Sequence, residues 1–133
     1  MENKEFECIN AIRKVEEKWN RAEEELKMEI KKLENRMHQI HNQYYFTKQS
    51  IEMMEEEVGY FSKSMGNMEF LSDYYRELSD VYEELHFDYH QEIARIEEVH
   101  QLKQKELQAV SEQCANEIAK LRKDMYVENW CFK

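Results

Sequence analysis

The sequence predicts an all-α protein, a long antiparallel two-helix hairpin with coiled-coil-like packing and a turn near residues 59–67. Proline, which interrupts helices, is absent, and the only two glycines, Gly59 and Gly66, lie near the midpoint of the 133 residues. Charged residues make up 36% of the chain, a composition that suits a narrow buried seam between helices better than a thick core. Apolar residues recur at steps of three and four, which is typical of a helix buried along one stripe.

The first helix is expected over about residues 3–60, because no stop signal interrupts its apolar series. The step from Leu26 to Ile30 makes one eleven-residue repeat, which should relax a left-handed supercoil locally. The predicted seam positions of this half are Ile12, Val15, Trp19, Ala22, Leu26, Ile30, Leu33, Met37, Ile40, Tyr44, Thr47, Ile51, Met54, Val58, Phe61 and Met65.

The second helix is expected over about residues 68–128. Gly66 is a candidate left-handed residue that closes the first helix, and Asn67 is a candidate N-cap for the second. Alternatively, Gly59 ends the first helix early and leaves a short loop. The predicted seam positions of this half are Leu71, Tyr74, Leu78, Val81, Leu85, Tyr89, Ile93, Ile96, Leu107, Val110, Cys114, Ile118, Leu121 and Met125.

Folding the chain at this turn sets the two apolar series opposite each other, for example Ile51 opposite Leu78, and apolar meets apolar along most of the length. The seam weakens between residues 96 and 107, since His100 and Lys103 occupy expected core positions there. We expect the hairpin to be softest in this stretch.

Composition and charge exclude several classes of function. The net charge of −10 argues against nucleic acid as a partner, because binding phosphates needs clustered Lys and Arg. No apolar run is long enough to span a membrane, and the acidic N-terminus does not resemble a signal peptide, so we expect a cytoplasmic protein. The length allows one domain, residues 1–133. The three cysteines have no metal-site spacing and are interpreted as reduced thiols.

The segment 44–89 carries eleven acidic and three basic residues and eleven of the sixteen aromatic residues. A two-helix seam needs only two apolar positions per heptad, and this segment has more. The surplus residues either lie half-exposed beside the seam or form a contact surface for further helices, and their acidic rim favours the second interpretation. Such a rim also favours a basic or less acidic partner over a second copy, although a homodimer stays open. The predicted partner-binding residues are Tyr45, Phe46, Met53, Tyr60, Phe61, Phe70, Tyr75, Tyr82, Phe87 and Tyr89.

Four histidines, His38, His41, His86 and His90, are expected at one level of the hairpin. His86 and His90 are four residues apart, a spacing that suits two imidazoles on one metal ion. We interpret the four histidines first as solvated or interface residues. A pH-sensitive contact and a metal site remain open as alternatives. We assign no metal-ligating residue.

The sequence contains no Gly-rich phosphate loop, no nucleophile motif and no paired carboxylates in an apolar context. A thin helical hairpin also offers no deep cleft that excludes water. We therefore expect no enzymatic activity, and we assign no catalytic residue and no cofactor.

The layout resembles a family of small acidic helical-hairpin proteins encoded beside LXG-domain toxins in Gram-positive bacteria. The residues that carry the resemblance are Tyr44-Tyr45-Phe46, Met53-Met54-Glu55-Glu56-Glu57 and Tyr82-Glu83-Glu84-Leu85. The resemblance implies a targeting or chaperone protein that binds the helical LXG domain of a type VII secreted toxin, together with a second small helical protein, and is co-secreted or stays in the cytoplasm. The alternative is a self-assembling structural coiled-coil component of another secretion apparatus or a phage assembly.

Overall fold

A computed structural model describes the backbone of residues 2–66 and 68–131 and the side chains of residues 4–66 and 71–125. It contains two long helices, α1 over Glu2–Met65 and α2 over Met68–Cys131, which pair with each other in antiparallel orientation. The predicted all-α helical hairpin is confirmed. Over the described residues, neither helix contains a stretch long and apolar enough to cross a membrane.

The turn is shorter than the predicted segment 59–67, because α1 continues through Gly59 and ends immediately before Gly66. Gly66 has a φ of 70°, and its N–H donates a hydrogen bond to the carbonyl of Ser62 at 2.9 Å. This is the left-handed, helix-closing conformation expected for Gly66. The alternative in which Gly59 ends the first helix is wrong. Asn67, the candidate N-cap of α2, lies outside the described residues.

The two glycines should respond to alanine in opposite directions. Gly66→Ala forces an L-residue to a φ of 70°, which costs about 1–2 kcal/mol, and no described atom lies within 4 Å of the new methyl group. Gly59→Ala adds a methyl group inside a helix, where alanine is favoured over glycine by about 1 kcal/mol. That methyl group meets the hydroxyl of Tyr75 at 3.2 Å, the far end of a flexible side chain. Thermal unfolding should show a lower melting temperature for the first variant and a higher one for the second; a decrease for both would contradict this.

Contacts between the helices cluster into two units. The terminal unit comprises Met1–Lys32 and Val99–Lys133, and the turn unit comprises Leu33–Glu98. Among the described side chains, the buried apolar residues are Ile30 in the terminal unit and Ile40, Tyr44, Ile51 and Leu78 in the turn unit. The seam is therefore narrow in both units, as the charged composition predicts.

In the terminal unit the half-buried side chains follow the predicted seam. The indole N–H of Trp19 donates to a carboxylate oxygen of Glu117 at 3.0 Å across the helix pair. In the stretch predicted to be weak, Nζ of Lys103 lies 3.0 Å from Glu29 and 3.7 Å from Glu106. The hydrogen bond with Glu29 raises the pKa of Lys103. A cation with two carboxylate neighbours thus occupies the seam here, and the softness of this stretch stays a prediction.

Cys114 provides a reporter of packing in the terminal unit. Burial, followed by the charges of Glu23, Glu16 and Glu117, raises the pKa of its half-buried thiol above the ordinary value of 9.0. Because the thiolate is the nucleophile, we expect Cys114 to react with iodoacetamide near about pH 8 more slowly than free cysteine does. Mass spectrometry of peptides separates Cys114 from Cys8, and unfolding in urea should abolish the difference. Equal rates in the folded and unfolded chain would contradict this.

In the turn unit the inner face of α1 departs from the predicted series beyond Tyr44. The residues that lie at buried or half-buried positions there are Lys48, Ser50, Ile51, Glu55, Val58, Gly59 and Ser62. The seam prediction is therefore wrong for four residues that the structure leaves exposed: Thr47, Met54, Phe61 and Met65.

On α2 the same shift puts Tyr82 at an inner position and leaves Val81 52% exposed, so the seam prediction is also wrong for Val81. The physical reason is the size of the tyrosine rings, which bury more apolar area than valine while their hydroxyl groups stay hydrogen-bonded at the edge. The hydroxyl of Tyr75, for example, donates to the carbonyl of Glu55 at 3.4 Å.

Candidate partner-binding surface

All predicted partner-binding residues belong to the turn unit, and the structure divides them into two groups. The exposed group, 52–79% accessible, consists of Tyr45, Phe46, Met53, Tyr60, Phe61 and Phe87. The group that contacts α1 consists of Tyr75, Tyr82 and Tyr89. The side chain of Phe70 lies outside the described residues. Partner binding stays a prediction for all of them, and the exposed group is the part available to another protein.

The tyrosine row of α2 stabilises the helix pair itself. Tyr89 stacks on Tyr44 with ring centroids 4.1 Å apart and an interplanar angle of 14°. The hydrogen bond that Lys48 donates to the hydroxyl oxygen of Tyr82 raises the pKa of Lys48, and the hydroxyl of Tyr75 donates to the backbone of α1. A partner that used these rings would have to displace contacts within the chain.

An exposed apolar surface on α1 extends from the side beside the seam to the outer side. Positions seven apart lie on nearly the same side of a helix, so Met54 and Phe61 form one exposed row beside the seam, and Phe46, Met53 and Tyr60 form a second row on the outer side. Their exposed fractions range from 52% for Met54 to 79% for Tyr60. We call these five residues the apolar flank. Contiguous exposed apolar side chains of this kind mark interaction sites.

Glu57 lies within the apolar flank, three or four positions from Met53, Met54, Tyr60 and Phe61 and hence on the same side of α1. Its side chain is exposed, and none of the salt bridges between described residues engages it. Covering this carboxylate with a purely apolar partner would remove its hydration at a considerable free-energy cost. The flank therefore selects for a partner that brings a hydrogen-bond donor or a cation to this point.

The edge of α2 that borders the apolar flank is acidic. Thr47 and Asp88 line the same groove between the helices. The helices are antiparallel, so seven residues forward from Thr47 on α1 and seven residues back from Asp88 on α2 lead to the same level. Met54 and Val81 therefore lie at the same level of the helix pair. Val81 thus borders the flank, and residues three or four positions from it share its side of α2. We call the exposed carboxylates on this side the acidic edge, which consists of Glu77, Glu84 and Asp88.

The three basic residues of the segment 44–89 lie elsewhere. Lys48 is half-buried in the seam. Lys63 lines a groove with Tyr75, which is three residues before Leu78 and so on the opposite side of α2 from Val81. Arg76 is two residues before Leu78, which places it on the outer side of α2. The acidic edge and the row formed by Met54 and Phe61 therefore have no basic neighbours among the described residues, whereas Lys63 lies in one groove with Tyr60.

On the same side as Tyr75, a network of rings joins the two helices. The hydroxyl of Tyr44 lies 2.6 Å from Nδ1 of His86, and Nε2 of His86 lies 3.1 Å from Nε2 of His90. Nδ1 of His41 lies 2.7 Å from the hydroxyl of Tyr89, which stacks on Tyr44. At the contact between His86 and His90 one ring nitrogen donates and the other accepts, and the tautomers decide which is the donor.

The fourth histidine, His38, lines a groove with His41 and Tyr89. Among the described residues, no group of three His, Cys, Asp or Glu side chains is placed to hold a metal ion. The pH-sensitive contact that the sequence left open stays a prediction.

Ionisation of Tyr44 should reduce stability in alkaline solution. Burial, followed by a hydrogen bond with Tyr82, raises the pKa of Tyr44 above its ordinary value of 10.0. The folded chain therefore binds more protons than the unfolded chain near this pH, and the stability present below the ordinary value is lost as the pH rises through the raised pKa. The urea midpoint of the native protein should fall between about pH 9 and about pH 11 more steeply than that of Tyr44→Phe. Parallel curves for the two proteins would rule this out.

Comparisons with protein-family models, curated proteins and solved structures gave no match to this chain.

Proposed function

We propose that this protein is a non-enzymatic helical adaptor or chaperone that binds a helical partner through the apolar flank and targets it for export. The observation that carries the proposal is the exposure of five large apolar side chains on α1, outside the seam between the helices. Surfaces with this composition and a charged rim are typical of protein interfaces. The flank extends over residues 46–61, about 24 Å along a helix axis, which suits an α-helix as the occupant.

The partner that we propose is the helical LXG domain of a type VII secreted toxin, with a second small helical protein in the same complex. This part of the proposal is supported by the resemblance carried by the aromatic and Met-Met-Glu-Glu-Glu segments of α1. The protein would act in the cytoplasm and either remain there or leave with its toxin.

A self-assembling structural component of a secretion apparatus or a phage assembly is the second candidate. It is favoured by exposed apolar residues of the terminal unit, since Phe6 is 66%, Ile9 55% and Met28 61% exposed. Those side chains lie outside the apolar flank, so association through them would leave the flank open.

Co-expression of the full chain with the helical N-terminal domain of a toxin encoded beside its gene tests the proposal. We expect a stoichiometric complex that persists through size-exclusion chromatography and that protects the toxin domain from proteolysis. A stable monomer that binds no such domain would count against the adaptor role. Concentration-dependent assembly of the chain alone, without a toxin complex, would support the structural candidate.

A further inference from the structure

We infer that the partner segment is an amphipathic helix with a basic edge: its apolar stripe covers Met54 and Phe61 of the apolar flank together with Val81, and its Lys or Arg residues reach the acidic edge of α2 and Glu57 of α1. The inference rests on the proposed function and adds the chemistry of the partner. It applies to the turn unit alone.

The shape of the surface favours an occupant that contacts both helices. Met54 and Phe61 of α1 are 52% and 61% exposed, and Val81 of α2, on the same side of the helix pair, is 52% exposed. Apolar side chains from both helices thus border one groove. A third helix fits such a groove because its side-chain ridges pack between those of two neighbouring helices. The occupant therefore contacts α1 and α2 together.

The charge around that groove is negative. Four exposed carboxylates surround it: Glu57, Glu77, Glu84 and Asp88. No salt bridge between described residues involves them. A neutral helix placed here would take hydration from these groups without compensation. Lys and Arg residues of the partner both cover the apolar side chains and compensate the carboxylates. Their aliphatic stems pack on the apolar surface, while their charged ends reach a carboxylate at the edge.

A second copy of this chain does not fit as the occupant. In a symmetric dimer the same surface meets itself, so the carboxylates of one acidic edge would approach those of the other. Like charges brought together at an interface suppress association. The segment 44–89, with three basic residues against eleven acidic ones, offers few cations to compensate.

Three synthetic helical peptides of three heptads each provide the probes. All three carry the same apolar stripe, and their edge positions are Lys, Gln or Glu. Binding to the full-length chain is measured by fluorescence anisotropy. We expect the Lys peptide to bind about tenfold or more tightly than the Gln peptide, the Glu peptide to bind most weakly, and the Lys advantage to shrink when NaCl is raised from about 0.05 M to about 0.5 M.

Two double variants separate a local charge effect from a net-charge effect. Glu77→Lys with Glu84→Lys reverses the acidic edge, whereas Glu34→Lys with Glu97→Lys makes the same change of charge in the groove beside His41 and Tyr89, on the opposite side of the turn unit. The first pair should weaken binding of the Lys peptide about tenfold, and the second should change it less than about twofold. Circular dichroism of each variant confirms that the helices remain.

The outcomes distinguish this inference from the proposed function. Equal affinity for all three peptides, or equal losses in both double variants, would overturn the basic helix while leaving an adaptor in place. A toxin domain that binds although no Lys peptide does would overturn it as well. If sedimentation instead shows a dimer that Phe61→Ala dissociates, the occupant is a second copy, and the inference fails.

Discussion

Replacing Tyr44 with alanine is expected to lower the free energy of unfolding by about 3–5 kcal/mol, the range for truncating a large buried aromatic residue. Tyr44 is only 9% exposed and lies in the seam of the turn unit. Its ring stacks on Tyr89, and its hydroxyl bonds His86. The substitution removes all of these contacts between α1 and α2 at once. Urea unfolding followed by circular dichroism should show a much lower midpoint.

Two neighbouring substitutions make this result interpretable. Tyr44→Phe keeps the stacked ring and loses the hydrogen bonds of the hydroxyl with His86 and Tyr82, so near neutral pH we expect a cost of about 1–3 kcal/mol. Phe46→Ala removes a ring of similar size that is 73% exposed, and it should change stability by less than about 0.5 kcal/mol. If Phe46→Ala destabilised the chain as much as Tyr44→Ala, the assignment of these rings to flank and seam would be incorrect.

The contrast between Tyr44 and Phe46 also shows what the sequence could predict. The sequence predicts a helical hairpin because proline is absent, the two glycines are central and apolar residues recur at steps of three and four. Few other structures satisfy that pattern. Gly66 was predicted in its observed role because a left-handed residue must end α1 and glycine adopts that conformation without strain.

The side of α1 that faces α2 beyond Tyr44 could not be predicted from periodicity. Apolar residues there occupy more than one side of the helix, so two stripes compete for the seam, and the series through Met54 and Phe61 is the more apolar of the two. The observed stripe runs through Lys48 and Glu55 instead. It prevails because Tyr75 and Tyr82 pack against it from α2. Helical patterns describe one helix at a time, whereas this choice depends on the side chains of the partner helix.

The exposure of Met54 and Phe61 outside the seam leads to the prediction with the largest expected effect on binding. Phe61→Ala should weaken binding of the Lys-edged peptide about 30-fold, equivalent to about 2 kcal/mol, the loss typical of an aromatic hot spot. Phe61 is next to Met54 on the inner row of the apolar flank, where a third helix would bury it. Because it is 61% exposed in the free chain, its truncation should leave the melting temperature nearly unchanged.

Phe87 supplies a matched control, since it is also 61% exposed and has the same side chain. It lies nine residues after Leu78, which places it on the outer side of α2, away from the groove between the helices. Phe87→Ala should therefore leave peptide affinity within about twofold of the native value, because residues outside a hot spot contribute little. If both substitutions weakened binding equally, exposure alone would govern the contact and the groove beside Phe61 would have no special role. A loss of peptide affinity confined to Phe61→Ala would mean that this protein binds its partner on the side of α1 that the tyrosines of α2 leave exposed.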